Sequence, residues 1–254
     1  MTENFVYDES VSSTYEKFTS LLGKVAEADE TAAFLERLSK GVALELGIGN
    51  GRVAVPLSER GVKVEGIDNS DSMLKLLAKR TDLVKGWKGD IADFNSEQRY
   101  DLVYCVYGTF TLLSTREKQI ACLRSAVEAL EKNGHVVIEV RVPPLDGFVG
   151  SQKTTATFVD HENTFVNAVI HDPVNQTLTS TILWFSGTSV KRLPQRVRYV
   201  YHQELDTMAE CVGLELAERW GDWTRGAFTN ESKGHISVYR RNQLPVGDLP
   251  LKSS

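Results

Sequence analysis

Little in this chain marks it as anything but a globular domain. Its 254 residues hold three cysteines, Cys105, Cys122 and Cys211, odd in number, widely spaced and without a C-x-x-C pair. That excludes a disulfide framework and a zinc ribbon, and points to reduced thiols in a cytoplasmic protein. No apolar run approaches the ~18–20 residues that span a bilayer. The N-terminal MTENFVYDESV has neither the basic nor the apolar region of a signal peptide. No internal repeat is evident. No metal-ligand spacing occurs, since His161 and His171 stand too far apart. A basic surplus is also missing: 29 Lys and Arg face 34 Asp and Glu, for a net charge of −5 and a pI near 5.6. Nucleic acid is therefore not an expected partner, because phosphate backbones demand a basic surface. The local cluster Lys191-Arg192 with Arg196 and Arg198 reads as solvated strand faces.

The pattern that organises the chain is Gly41 to Asp68, GVALELGIGNGRVAVPLSERGVKVEGID. A short apolar run, Val42 to Leu44, leads to Glu45 and three alternate glycines, Gly47, Gly49 and Gly51. A helical stretch follows, then a second apolar strand from Val62 to Ile67 that ends in Asp68. This is strand, Gly-rich turn, helix, strand, acid: one βαβ unit of a parallel sheet. Glycine permits positive φ and leaves no Cβ between backbone and ligand, so a nucleoside can lie against the turn. An acid after the second strand can accept hydrogen bonds from both ribose hydroxyls. The dinucleotide fingerprint G-x-G-x-x-G would need a further glycine where Arg52 stands.

The acid-x-G-x-G-x-G spacing with Asp68 resembles motif I of class I S-adenosylmethionine (SAM)-dependent methyltransferases, of the small-molecule type found in amino-sugar and antibiotic pathways. The resemblance implies SAM as cofactor and a small-molecule acceptor, with a methyl group passed to an N, O or C nucleophile. It implies that the glycines pass under the methionine moiety, that Asp68 with the adjoining Asn69 holds the ribose, and that Met73 packs on the adenine. Gly89-Asp90-Ile91 resembles the family's adenine clamp, with Asp93 as a competitor for Asp90. Tyr7 and Tyr15 resemble a tyrosine pair on a segment that closes over SAM; they read equally as half-buried aromatics.

Further along, helical spacing of apolar residues marks Val11 to Leu22 and Glu30 to Leu38. Leu83 to Trp87 and Tyr100 to Val106 read as the third and fourth strands, and Tyr107 to Phe110 as the pocket floor. A helix from Ser114-Thr115 is expected to run to about Leu130, with Asn133-Gly134 as its stop signal, before a fifth strand over His135 to Val142. From 145 to 201 the βα alternation breaks into period-2 segments: Thr154 to Val159, Thr164 to Ile170, Thr177 to Phe185 and Arg196 to Tyr201. They read as an inserted antiparallel sheet, which resembles the lid sheet of small-molecule and amino-sugar N-methyltransferases; a purely structural flap or one that forms a homodimer is the alternative. A helix from His202, a sixth strand over Leu214 to Trp220 and a seventh over His235 to Arg241 complete the chain.

The expected fold is α/β: a doubly wound, seven-stranded, mostly parallel sheet with an antiparallel seventh strand and an inserted antiparallel β lid. Residues 1–40 form a helical cap, 41–144 with 202–241 the core, 145–201 the insertion, and 242–254 a frayed tail. No membrane partner is expected. The general base is open among Tyr7, Glu139, Arg141 and His202. Some amino-sugar N-methyltransferases carry His or Tyr where Leu112 stands, a departure from their pattern. Trp184, Trp223 and Phe228 are candidate walls for an acceptor or ordinary core. Two rival classes remain: a SAM-binding partner without catalysis, and a nicotinamide-dependent oxidoreductase, against which Arg52 and the antiparallel last strand both argue.

Overall fold

The computed structural model describes residues 24–242 together with Lys17 and Leu21. Tyr7, Tyr15, most of the expected Val11–Leu22 helix and the expected tail beyond 242 lie outside them. The first described helix, α1, covers Lys24–Glu36. Alternation follows: β1 (Val42–Leu46), α2 (Ala54–Glu59), β2 (Lys63–Asp68), α3 (Asp71–Arg80), β3 (Lys85–Lys88) and β4 (Tyr100–Cys105). A 3₁₀ turn at Thr109–Leu112 precedes α4 (Arg116–Ala129) and β5 (Leu130–Arg141). Four strands then come in succession, β6 (Gln152–Phe158), β7 (Asn163–Asp172), β8 (Thr177–Ser186) and β9 (Ser189–Arg198). The chain closes with α5 (His202–Glu210), β10 (Leu214–Trp220) and β11 (Gly234–Arg241).

Seven strands join one sheet in the order β10-β11-β5-β4-β1-β2-β3, and β6 to β9 form a separate four-stranded meander. Pairs β1·β2, β1·β4, β2·β3 and β4·β5 are parallel, whereas β11 is antiparallel to both neighbours. The order reverses between β1 and β4, which opens a crevice at their carboxyl ends. Alternate residues of each central strand feed two apolar layers. Leu44, Leu46, Val103 and Ile138 pack with α4 and α5, while Ala43, Val64, Leu102 and Val137 pack with α1, α2 and α3. Burial on both faces is why these strands read as near-continuous apolar runs.

Local signals set the helix starts. Ser70 caps α3, its hydroxyl accepting from the Met73 amide at 3.2 Å, and Thr115 caps α4 by accepting from Lys118 at 3.2 Å.

Several boundaries differ from expectation, among them the start of α1 at Lys24 and not Glu30. Helix α4 ends at Ala129, beside the expected Leu130, but β5 starts at Leu130 and not at His135, so Asn133-Gly134 lies within the strand and caps no helix. The chain turns extended at Leu130, and pairing slips from Tyr100↔Leu130 to Leu102↔His135. Gly134 serves that irregularity: a Cβ there would lie 2.9 Å from the Asp101 carbonyl oxygen. Strand β3 starts at Lys85, and Leu83 is exposed. Strand β9 starts at Ser189, well before Arg196. Pro194 and the charged residues hid it, and they are tolerated because β9 is an edge strand.

Candidate active site

The Gly-rich turn is bolted to the end of β2. Amides of Gly47 and Ile48 donate to the Ile67 carbonyl at 2.8 and 3.0 Å. The Gly49 amide donates to one oxygen of Asp68 at 2.8 Å, and the Ser70 amide to the other at 2.9 Å. Gly49 has φ +56, a conformation open to glycine at no steric cost. Burial raises the Asp68 pKa, and the amides of Ser70 and Gly49 work against that rise.

A pocket opens above this turn, lined by Gly47 to Asn50, Asp68, Asn69 and Met73. Gly89, Asp90 and Ile91 close it beyond β3; Asp93 does not line it. On the far side of β1 it is bounded by Val106, Tyr107, Thr109, Leu112 and Leu113, and β9 contributes Gln195. Glu45 forms part of the wall from inside the sheet, and it is buried. The Tyr104 hydroxyl donates to it at 3.0 Å. Burial pushes the Glu45 carboxyl up to about 8, against the Tyr104 hydrogen bond and the Arg52 charge.

Tyr107 is held from three directions. It takes φ +55, uncommon for a side-chain-bearing residue. Its amide donates to the Glu139 carboxylate, the Arg52 guanidinium stacks 3.4 Å from its ring centroid, and its hydroxyl pairs with Thr31 at 3.3 Å. Burial raises the phenol pKa, so the hydroxyl stays protonated. Glu139, one of the candidate bases, is thus engaged with backbone.

Several expected site residues lie elsewhere. Gly51 is absent from the lining; its missing Cβ makes room for Leu77, whose Cδ1 would lie 2.5 Å away. Arg141 is exposed at the end of β5, outside the pocket lining. His202 is also outside, packed edge-on against Phe228 and His235 with ring centroids 5.3 and 6.1 Å away. Burial, then Arg219, lowers its pKa. None of the three aromatic candidates reaches the pocket. Trp184 is buried within the inserted sheet, its indole donating to Asn163 at 3.0 Å. Trp223 is buried against Phe34, centroids 5.4 Å apart, because the β10–β11 loop folds back onto α1. Arg198 is no solvated cation but a buried one.

Arg52 and Gln195 were not anticipated as pocket residues. Arg52 was legible as the break in the dinucleotide pattern. Gln195 carries no local signal, because only the sheet's placement brings it to the crevice.

A doubly wound sheet with an antiparallel last strand, a Gly-rich turn and a carboxylate at the crevice mouth defines a nucleoside-binding fold of the methyltransferase class. Comparison with known proteins agrees. Residues 43–134 match a family model described as a methyltransferase domain. The solved CcbJ methyltransferase of Streptomyces caelestis is 33% identical, with a TM-score of 0.89, over 95% of this chain and 100% of that one. The cypemycin N-terminal methyltransferase of a Streptomyces species is 25% identical over 95% of this chain and 100% of its own. A dTDP-4-amino-2,3,4,6-tetradeoxy-D-glucose N,N-dimethyltransferase of Saccharopolyspora spinosa is 28% identical over 57% of this chain and 61% of its own. The chain belongs to the class I SAM-dependent methyltransferases, and SAM is its cofactor.

Proposed function

We propose that this enzyme methylates an amine nitrogen of a small molecule, and that the pocket over Gly47 to Asp68 holds SAM. The residues fit that cofactor. At Gly49 an added Cβ would meet nothing closer than Met73 Cε at 3.7 Å, so the turn presents bare backbone to the cavity. Asp68 and Asn69 would hold the ribose, and Asp90, Ile91 and Met73 the adenine. Glu45, Gly47 and Gly49 would lie along the methionine moiety, beside Tyr107. Bound SAM supplies a sulfonium methyl already activated by its positive charge.

The observation that carries the choice of nitrogen is the wall on the β4 side. Val106, Leu112 and Leu113 are apolar, and Tyr107 is held there as a neutral phenol. An apolar wall disfavours an ammonium and so favours the neutral amine, which attacks without a general base. One curated relative is named an N-terminal methyltransferase and the other an N,N-dimethyltransferase, which supports the reading. The protein's part is then to align the amine and exclude water. The test is incubation with labelled SAM and a panel of small amines, phenols and carboxylates. Transfer to amines is expected; transfer confined to phenols or carboxylates overturns the assignment.

The proposal extends to organisation. Residues 41–144 and 202–241 act as the cofactor-binding core, 1–40 as a cap and 145–201 as an acceptor lid. Ile170, Phe185 and Val190 are exposed on the inserted sheet and suit a homodimer, which sedimentation would detect. A cytoplasmic setting suits the free thiols of Cys105, Cys122 and Cys211.

A further inference from the structure

On the β4 side the pocket wall is apolar at Val106, Leu112 and Leu113, and among the described lining residues two carry a hydroxyl there, Tyr107 and Thr109. The first hydroxyl is committed. Thr31 gives its own proton to the Glu27 carbonyl at 2.7 Å, so in the 3.3 Å pair Tyr107 donates and Thr31 accepts. The Thr109 hydroxyl makes no hydrogen bond to any described residue; its amide alone is engaged, donating to the Val106 carbonyl at 3.3 Å where the 3₁₀ turn begins. Gly47 fixes how that side chain stands. A Cβ built on Gly47 would lie 2.3 Å from Thr109 Cγ2 and 3.2 Å from its Oγ1. The Thr109 methyl therefore fills the slot that the glycine leaves, and a β-branched side chain seated in this way has little χ1 freedom. Its hydroxyl is pinned where the Gly-rich turn meets the apolar wall.

With the methionine moiety along Gly47 and the amine against the apolar wall, the methyl passes across that junction; the inference rests on this reading of the pocket. We propose that Thr109 is a catalytic residue, whose Oγ1 accepts a hydrogen bond from the N–H of the attacking amine and so points the nitrogen lone pair at the methyl. In the transfer that lone pair forms the N–C bond, the S–C pair returns to sulfur as a neutral thioether, and the positive charge passes from sulfur to nitrogen. The N–H held by Thr109 becomes that of an ammonium, so its bond to Oγ1 is stronger in the transition state than in the ground state. Thr109 takes no proton; the ammonium product loses one to solvent after release. An acceptor then needs an N–H as well as a lone pair. Primary and secondary amines have both, whereas a tertiary amine has no N–H, so methylation stops at the tertiary amine.

Two substitutions separate the hydroxyl from the packing. Thr109→Val keeps the methyl seated on Gly47 and removes the hydroxyl; Thr109→Ser keeps the hydroxyl and removes the methyl. The amine of the panel with the fastest turnover is supplied in its primary, N-methyl and N,N-dimethyl forms with labelled SAM, and calorimetry follows S-adenosylhomocysteine binding. Thr109→Val should lower kcat by about 10- to 100-fold, with amine KM and S-adenosylhomocysteine affinity within about threefold of wild type. Thr109→Ser should bring kcat back to within about fivefold of wild type. A packing role alone predicts the opposite order, with the serine variant the slower. Wild type should methylate the primary and N-methyl forms and leave the N,N-dimethyl form untouched, a result that needs no variant. Wild-type kcat in Thr109→Val, a serine variant slower than the valine one, or a quaternary ammonium product would overturn the inference while leaving amine methylation in place. Transfer to no amine would overturn the amine assignment itself, and the role of Thr109 with it.

Discussion

Asp68 serves the turn as well as the pocket. Its two oxygens already accept from Gly49 and Ser70, so removing the carboxylate does two things. Asp68→Ala should weaken S-adenosylhomocysteine binding by about 1.5–3 kcal/mol, the range for a charge-assisted bond whose partner is left unpaired. It should also cost about 1–2 kcal/mol of stability, because two amides lose their acceptor. Calorimetry and urea unfolding separate the two effects. The glycines divide in the same way. Gly49→Val should abolish binding by filling the cavity, whereas Gly51→Val should chiefly destabilise the fold by displacing Leu77. Glu45 adds a pH dependence. Its folded pKa of about 8 exceeds the reference value of 4.5, so the folded state holds more protons between those limits. Its stabilising contribution is fully present below pH 4.5 and is lost as pH rises through about 8. At 1.36 kcal/mol per unit the ceiling is about 5 kcal/mol. Melting curves of wild type should therefore fall with pH more steeply than those of Glu45→Gln. A parallel pair of curves would mean that Glu45 ionises normally in the folded chain.

Among the elements, the join between inserted sheet and core is the one most exposed to a single change. Arg198 ends β9 with its guanidinium buried, donating to Gln119 at 2.6 Å, Gln176 at 2.7 Å and Glu204 at 2.5 Å. Gln119 returns a bond to the Arg198 carbonyl at 3.1 Å. One side chain thus ties α4, the β7–β8 turn, β9 and α5 together. Three acceptors around one planar fork suit arginine and not lysine. Arg198→Ala leaves Glu204 with the Gln176 amide at 3.0 Å in place of a cation and takes the donor from both glutamine oxygens, and should cost about 3–5 kcal/mol. Arg198→Lys should recover only part of that. Urea unfolding measures the loss, and limited proteolysis should cut within 145–201 before it cuts the core. Retained stability in Arg198→Ala would mean that the sheet is anchored by its apolar contacts alone.

For the molecule as a whole, the question is how the acceptor is chosen. The inserted meander reaches the pocket through Gln195, while the other described lining residues belong to the core. Gln195→Ala should raise the acceptor KM by roughly three- to tenfold, the worth of one hydrogen bond, and change S-adenosylhomocysteine affinity by less than about twofold. Steady-state kinetics with titration calorimetry decide it; the reverse pattern would show that β9 holds the cofactor and not the acceptor. Trp184 is the wrong probe for this purpose, because its removal would hollow the meander it packs in.

Local order was written in the chain itself. The Gly-rich turn, the acid after β2, the caps at Ser70 and Thr115 and the antiparallel end of the sheet follow from near-neighbour rules: glycine's φ freedom, side-chain capping and strand periodicity. Those rules act over a few residues, so a single sequence displays them. Contacts between distant segments are not displayed in that way. Only the folded chain shows that Gly51 yields space to Leu77, that Trp223 turns back onto Phe34, that Arg198 is a clamp, and that His202 pairs with Phe228 and His235 away from the crevice. The same holds for the Glu45 carboxyl, whose acidity is set by burial under strands that lie 18 to 60 residues further along, β2 and β4. Desolvation depends on what covers a group from every side, and that is decided when the layers close.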